Sequence, residues 1–231
     1  KQKNNMDYVN DAVAGMAKTW RNRNMKDTLT EQQVHYYSNL AIQTPTKQSN
    51  KYFEVVSITN QEVIESIFHT TAPPLEDGPI AQHEKNSQVY GPLVLVWISQ
   101  WKLEQGYFSE KYIDGNRRNH YVANDADGND QFCDTHQAIG LSAGAVSYEA
   151  NRQGLVTGFC RCFDQDEVMK ILQEHTDSDL LNICDKGCCR NEPELIVSIG
   201  TPAFDSRHQH QHLNSTYEEH CKPPQEVRYI K

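Results

Sequence analysis

Pro92-Leu93-Val94-Leu95-Val96-Trp97-Ile98-Ser99 (PLVLVWIS) is a near-continuous apolar run with no charge in it. A strand with one wet face would alternate apolar and polar residues; this one does not, so it predicts a strand covered on both faces. Such a strand needs a layer of helices on each side. The chain around it supplies both layers and further strands.

On the N-terminal side, Tyr52 to Ile58 (YFEVVSI) is rich in β-formers and predicts a second strand. Thr59-x-x-Glu62 is a capping-box pattern that opens a helix to about His69, and the stretch from Thr70 to Gln82 holds three prolines and is expected to be loop. Earlier, Thr28-x-x-Glu31 is another such box, predicting a helix through roughly Thr44, where Pro45 stops it. Tyr8, Val9, Ala12, Val13, Met16, Ala17 and Trp20 recur at helical spacing and predict a first helix from Tyr8 to Trp20.

On the C-terminal side, residues 101–130 are polar and irregular, an expected insertion of the kind that is often functional. Asp134 to about Arg152 predicts a helix rich in small residues (Ala138, Gly140, Ser142, Ala143, Gly144, Ala145), which suits a central buried helix. Gly154 to Phe163 (GLVTGFCRCF) predicts a strand, and Asp164 caps a helix to about Glu174. A Cys-bearing loop follows at about 176–193, then Glu194 to Gly200 (ELIVSIG) as a last core strand. The tail from Pro202 is polar and His-rich until Glu226 to Ile230 (EVRYI), a possible final strand. Helices and strands interleave without a repeat, so residues 1–231 are expected to form a single domain, α/β or α+β.

Composition narrows the function classes. The 231 residues are 37% hydrophobic with a formal net charge of −9, and mean hydropathy is −0.74. No Lys/Arg-rich block supplies the basic footprint of a nucleic-acid binder. No apolar run approaches the roughly 20 residues needed to cross a bilayer, and the opening KQKNNMDYVND has no apolar core of a secretory signal. Seven cysteines, with Cys188 and Cys189 adjacent, fit free thiols in a reducing cytosol better than a paired disulfide framework, so a cytoplasmic location is expected.

Cys184, Cys188 and Cys189, with Cys160, Cys162 or the His208/His210/His212 run, contain zinc-type ligands, but paired Cys-x2-Cys spacing is missing and no metal is expected. Asp125, Asp127, Asp130 and Asp134 hold their glycine in the wrong register for a calcium loop. There is no Gly-x-Ser-x-Gly, no Gly-rich phosphate loop and no Rossmann fingerprint. A Cys/His metal-binding interaction module and a non-catalytic binding protein stand as alternatives to an enzyme.

Four segments, in order, resemble the FMN-binding nitroreductase family: Trp20-Arg21-Asn22-Arg23; Thr44-Pro45-Thr46-Lys47-Gln48-Ser49-Asn50; Asn86-Ser87-Gln88-Val89-Tyr90 leading into the PLVLVW strand; and the small-residue helix followed by Gly154-Leu155, a strand and Phe163-Asp164. Ile199-Gly200-Thr201-Pro202 closes the series. The resemblance implies an α+β, three-layer fold with a central, mostly antiparallel sheet flanked by helices. It further implies a homodimer, joined through the long helix and by exchange of the C-terminal strand. FMN is the implied cofactor, with NAD(P)H as reductant and a nitroaromatic, quinone-like or other conjugated acceptor reduced by ping-pong hydride transfer.

The resemblance also assigns residues. The turn bearing Arg21, Asn22 and Arg23 would meet the phosphate and ribityl chain, where charge-assisted bonds suit a phosphate. Pro45, Thr46, Lys47, Gln48, Ser49 and Asn50 would line the flavin from the partner subunit. Asn86 or Gln88 would contact the pyrimidine end of the ring, since an amide offers both donor and acceptor. Phe159, Cys160 and Arg161 match the strand end that lies over the ring, where backbone N–H groups assist hydride acceptance. Arg161 stands where an acidic residue is common, which would make the site more electropositive. Arg207 and His208, with His210 and His212, are the candidates for a C-terminal cation at the phosphate. The chain departs from the family in its first segment, with Arg23 where a Ser is common and Met25 where a second cation is common. No catalytic acid or base is assigned, because the cofactor would carry the chemistry.

Overall fold

The computed structural model describes residues 20–49, 52–71, 86–102, 131–176 and 189–208. At its centre, Leu93–Lys102 forms strand β3, numbered in chain order after β1 (Trp20–Arg23) and β2 (Phe53–Ile58). Residues Leu93 to Ile98 are all at most 1% exposed, as the uninterrupted apolar run requires. Their alternation splits the core in two: Leu93, Leu95 and Trp97 face one helical layer, and Val94, Val96 and Ile98 face the other.

The remaining elements are α1 (Glu31–Gln43), α2 (Gln61–Thr70), α3 (Gln131–Arg152), β4 (Val156–Cys160), α4 (Gln165–His175), β5 (Cys189–Gly200) and β6 (Pro202–His208). Strands β2-β3-β5-β4 make an antiparallel four-stranded sheet, and β1-β6 a separate two-stranded ribbon. Helices α1 and α3 cover one face of the sheet, α2 and α4 the other, giving the expected three-layer α+β arrangement.

Local chemistry sets the boundaries, and several differ from the sequence expectation. Helix α1 starts two residues late. Its capping box is Thr30/Gln33, with Gln33 N donating to Thr30 Oγ1 (3.2 Å) and Thr30 N to Gln33 Oε1 (3.0 Å). The competing Thr28/Glu31 pattern loses because Leu29 then sits just before the cap, where it and Val34 both pack on the α1/α3 core as a hydrophobic staple. For α2 the cap is Asn60 rather than Thr59; its side chain accepts from Glu62 N and Val63 N, and Asn is the stronger cap. Asp164 caps α4 as expected, accepting from Glu167 N at 3.1 Å.

Gly154 is not the first residue of a strand. It takes φ +81 and ends α3, while Leu155 N reaches back to Ala150 O (2.9 Å), so β4 begins only at Val156. The polar tail opens with a strand that the sequence reading did not identify: Pro202–His208 is β6. Trp101 and Lys102 of the expected insertion belong to β3, and Cys189 to Pro193 of the expected Cys-bearing loop belong to β5. The remainder of both segments, the helix expected before Trp20 and the strand at Glu226–Ile230 lie outside the described residues.

Helix α3 is buried on one side only. Ala138, Ser142, Ala143, Ser147 and Ala150 face the sheet. Gly140 and Gly144 would meet nothing with an added Cβ, and Leu141 is 52% exposed. Trp97 Nε1 donates to Ser142 Oγ (2.9 Å), which in turn donates to Ala41 O (2.5 Å), tying β3, α3 and α1 together through buried polar atoms. Among the described residues no helix is long and apolar enough to cross a membrane.

Candidate functional site

Strand β1 exists because β6 lies beside it. The register sets Trp20 opposite His208, Arg21 opposite Arg207 and Arg23 opposite Pro202, with a slip between Arg21 and Arg23. Two segments at the far ends of the described chain, each expected to bring cations to a phosphate, are therefore cross-strand neighbours. The expected turn at Trp20–Arg23 is a strand instead, because β6 supplies the hydrogen bonds that a free turn would take from water. The side chains of Arg21, Asn22, Arg207 and His208 lie outside the described residues, as do His210 and His212 entirely.

Arg23 leaves the ribbon and enters the protein, where it is 4% exposed. Its Nη1 donates to Ser87 O at 3.1 Å. Two glycines make room for it: an added Cβ would stand 1.8 Å from Arg23 Nη2 at Gly158 and 2.9 Å from Arg23 Cδ at Gly91, while one at Gly200 would meet the Pro92 ring first, at 2.6 Å. Burial lowers the guanidinium pKa to about 9, so at neutral pH the group remains charged. Arg23, expected from the resemblance to meet a phosphate, is thus an interior residue whose guanidinium holds the Ser87 carbonyl.

The 3-10 turn Ser87–Val89 packs against β1, β4 and β5. Asn86 caps it, accepting from Gln88 N (3.1 Å) while its Nδ2 donates to Gln88 Oε1 (3.0 Å) and to Cys160 Sγ (3.0 Å). Cys162 N also donates to that sulfur (3.3 Å). Ser198 Oγ donates to Gln88 O (2.5 Å). Gln88 Nε2 has no partner among the described residues, which leaves one amide donor for a ligand. Arg23, Asn86, Gln88 and Cys160 are thereby assembled on one face of β4, whereas Phe159 packs on the other, against the α1/α3 core.

Pro45 to Ser49 sits elsewhere, beside β2, an edge strand of the sheet among the described residues. Thr44 to Thr46 and Ser49, with Ile42, Gln43 and β2 itself, line a cavity of about 650 Å³. Ser49 turns the chain with φ 58, its N–H on Thr46 O (3.1 Å). Lys47 pairs with Asp134 of α3 at 2.7 Å. The Gln48 side chain and Asn50 lie outside the described residues. Since β2 and β4 are opposite edges of a four-stranded sheet, roughly 14 Å of strand spacing separates the two groups of expected site residues.

A carboxylate that sequence reasoning missed neighbours Arg161. In the β3–β5 ladder Trp97 pairs with Leu195 and Ile98 with Pro193, so Glu194 is the extra residue of a bulge. Its carboxylate, 6% exposed, meets Arg161 Nη2 (3.1 Å), His136 Nε2 (3.3 Å) and Ser99 Oγ (3.2 Å). Arg161 Nε also donates to Glu194 O (3.0 Å). The added positive charge expected from Arg161 is therefore offset by Glu194. Its signal in sequence is faint: a single acid at the start of an apolar run looks like a strand boundary. Among the described residues no three His, Cys, Asp or Glu side chains converge as a metal site would require.

No protein-family model matches the chain, and no curated protein matches it in sequence. Solved structures do match it in shape. A proposed NAD(P)H:FMN oxidoreductase from Staphylococcus epidermidis aligns at TM-score 0.56 and 14% identity, over 85% of this chain and 88% of that one. A nitroreductase family protein from Clostridium novyi aligns at TM-score 0.54 and 8% identity, over 89% and 88%. Another, from Clostridium difficile, aligns at TM-score 0.51 and 13% identity, over 82% of each. The chain has the nitroreductase fold.

Proposed function

We propose that this chain is an FMN-dependent oxidoreductase that draws on NAD(P)H to reduce nitroaromatic, quinone-like or other conjugated acceptors, and that it works as a homodimer. The observation that carries the reading is the register of the β1–β6 ribbon, which sets Arg21 opposite Arg207. Like charges directly opposite in a ladder repel, and a phosphate between them converts that repulsion into two charge-assisted contacts. The ribbon packs against the Ser87–Val89 turn and β4, so a ring extending from that phosphate would reach Gln88 Nε2 and the Phe159–Cys160–Arg161 strand end.

Asn22 and His208 flank the two arginines and would add polar contacts to the same tail. The Pro45–Asn50 loop lies across the sheet from this half-site, so a single flavin touched by both takes the loop from a second copy. Helix α3 fits the role of the joining surface, with Gly140 and Gly144 open and Leu141 exposed; the edge of β2, outermost in the sheet among the described residues, fits a strand such as Glu226–Ile230 from the partner. Bound there, FMN would supply the hydride chemistry of a ping-pong cycle, and the chain's residues bind, orient and exclude water. The reading treats residues 1–231 as one domain, working in the cytoplasm, where free thiols such as those of Cys160 and Cys162 persist.

The test is reconstitution with FMN followed by dialysis and sedimentation. A yellow dimer that oxidises NADPH only when an acceptor is added is the expected result. Arg21→Ala should weaken FMN binding by about 1.5–3 kcal/mol, the loss of one charge-assisted bond. A monomeric protein that retains no flavin would end the proposal.

A further inference from the structure

Arg23 is a costly residue to bury. Taking a guanidinium out of water costs several kcal/mol unless its donors are well placed, and a Met or Leu could fill the same space without that cost. What the guanidinium adds is directed donation: Nη1 holds Ser87 O, and the glycine at 158 lets Nη2 lie flat against β4 beside Gln88 O, which an added Cβ would approach to 2.5 Å. Ser198 Oγ holds that second carbonyl. Both carbonyls of the Ser87-Gln88 pair are thus drawn toward the interior, and the half-buried Gln88 side chain keeps its Nε2 for a ligand.

We infer that Arg23 is a positioning residue: from beneath, it clamps the Ser87–Val89 turn so that Asn86 and Gln88 are held in the orientation that receives the flavin ring. It does this through the turn, without touching the cofactor. The inference rests on the flavin reading for its ligand, but the clamp itself is a property of the chain alone, and the two can be tested apart.

The experiment compares Arg23→Met and Arg23→Lys with the parent, each first shown to be folded by circular dichroism at the working temperature. Amide hydrogen exchange in flavin-free protein reads the clamp through Val89 N and Tyr90 N, which donate to Asn86 O and Ser87 O. FMN titration reads its consequence. The expected result is exchange at both amides faster by about tenfold or more in Arg23→Met, with FMN affinity weaker by at least about tenfold and partly restored in Arg23→Lys. Gly158→Ala should do less further damage in Arg23→Met than in the parent, because the 1.8 Å contact with Arg23 Nη2 is then gone and only the 2.5 Å contact with Gln88 O remains. Unchanged exchange at Val89 and Tyr90 would overturn the clamp whatever the flavin does. Faster exchange with unchanged FMN affinity would overturn its role in the site. Faster exchange in a protein whose parent binds no FMN would leave the clamp standing and remove the flavin reading instead.

Discussion

The two faces of the sheet are built differently. Between the sheet and α2/α4 the interior is Val, Ile, Leu and Met with Cys160, and the outer surfaces of those helices are polar. Between the sheet and α1/α3 the apolar core is threaded with buried polar tethers, Trp97 to Ser142 to Ala41 O and Ser147 to Thr157 (2.7 Å), and at its outer margin Glu149 meets Tyr36 (3.0 Å), Arg152 (2.6 Å) and Gln153 (2.7 Å). That layer also exposes Tyr36, Ile42 and Leu141 on its outside. The first face is held mainly by volume, its polar ties gathered where Arg23, the Ser87–Val89 turn, Cys160 and Ser198 meet, and the second by volume plus direction across the helix layer. Were that layer covered by a second copy, as proposed above, it would gain from fixed orientation, because an interface is matched to one arrangement of side chains.

Three substitutions probe this contrast. Ile64→Ala, in the apolar face, should cost about 2–5 kcal/mol in urea unfolding, the range for a large-to-small cavity, with no change in pH dependence. A loss below 1 kcal/mol would mean that α2 can collapse into the space and that this face is looser than its burial indicates. Ser142→Ala, in the tethered face, should cost about 1–3 kcal/mol, although it removes only one oxygen, because Trp97 Nε1 is left buried without its acceptor. If Ser142→Ala is neutral, the tether gives no directional hold and the distinction between the faces dissolves.

The smallest effect is expected at Glu149. The Arg152 guanidinium, with help from Gln153 and Tyr36, lowers its carboxyl from 4.5 to about 2. A depressed carboxylate stabilises the fold fully above its unfolded pKa and loses that contribution as pH falls through the folded value. The parent should therefore lose stability between about 4.5 and about 2 from this group, and Glu149→Gln should flatten that segment of the curve. At neutral pH the change should stay under about 1 kcal/mol, since Arg152 is half exposed and the pair is screened. An unchanged acid limb would assign the acid sensitivity to other carboxylates.

How much of this was readable in the sequence depends on the range of the cause. Strand β3 was legible because its burial on both faces leaves a composition signature within eight residues. The helices were legible in kind but not in start point: two overlapping box patterns at Thr28 and Thr30 are equivalent until Leu29 and Val34 find a core to pack on. Gly154 looked like part of a strand because its left-handed backbone is set by the helix it ends. Strands β1 and β6 were not legible, since neither WRNR nor PAFDSRH has a strong β pattern and each is stabilised by the other. The site followed the same rule. The segments that carry the resemblance are short and local, while the interior position of Arg23 depends on two distant glycines and that of Glu194 on a bulge in a neighbouring ladder.

The glycine-lined slot has a consequence for how this chain can drift. Arg23, Gly91 and Gly158 are tied to one another, because a methyl at position 158 would evict the arginine and a smaller residue at 23 would leave a hole that the glycines no longer serve. A related chain should keep all three or change them together.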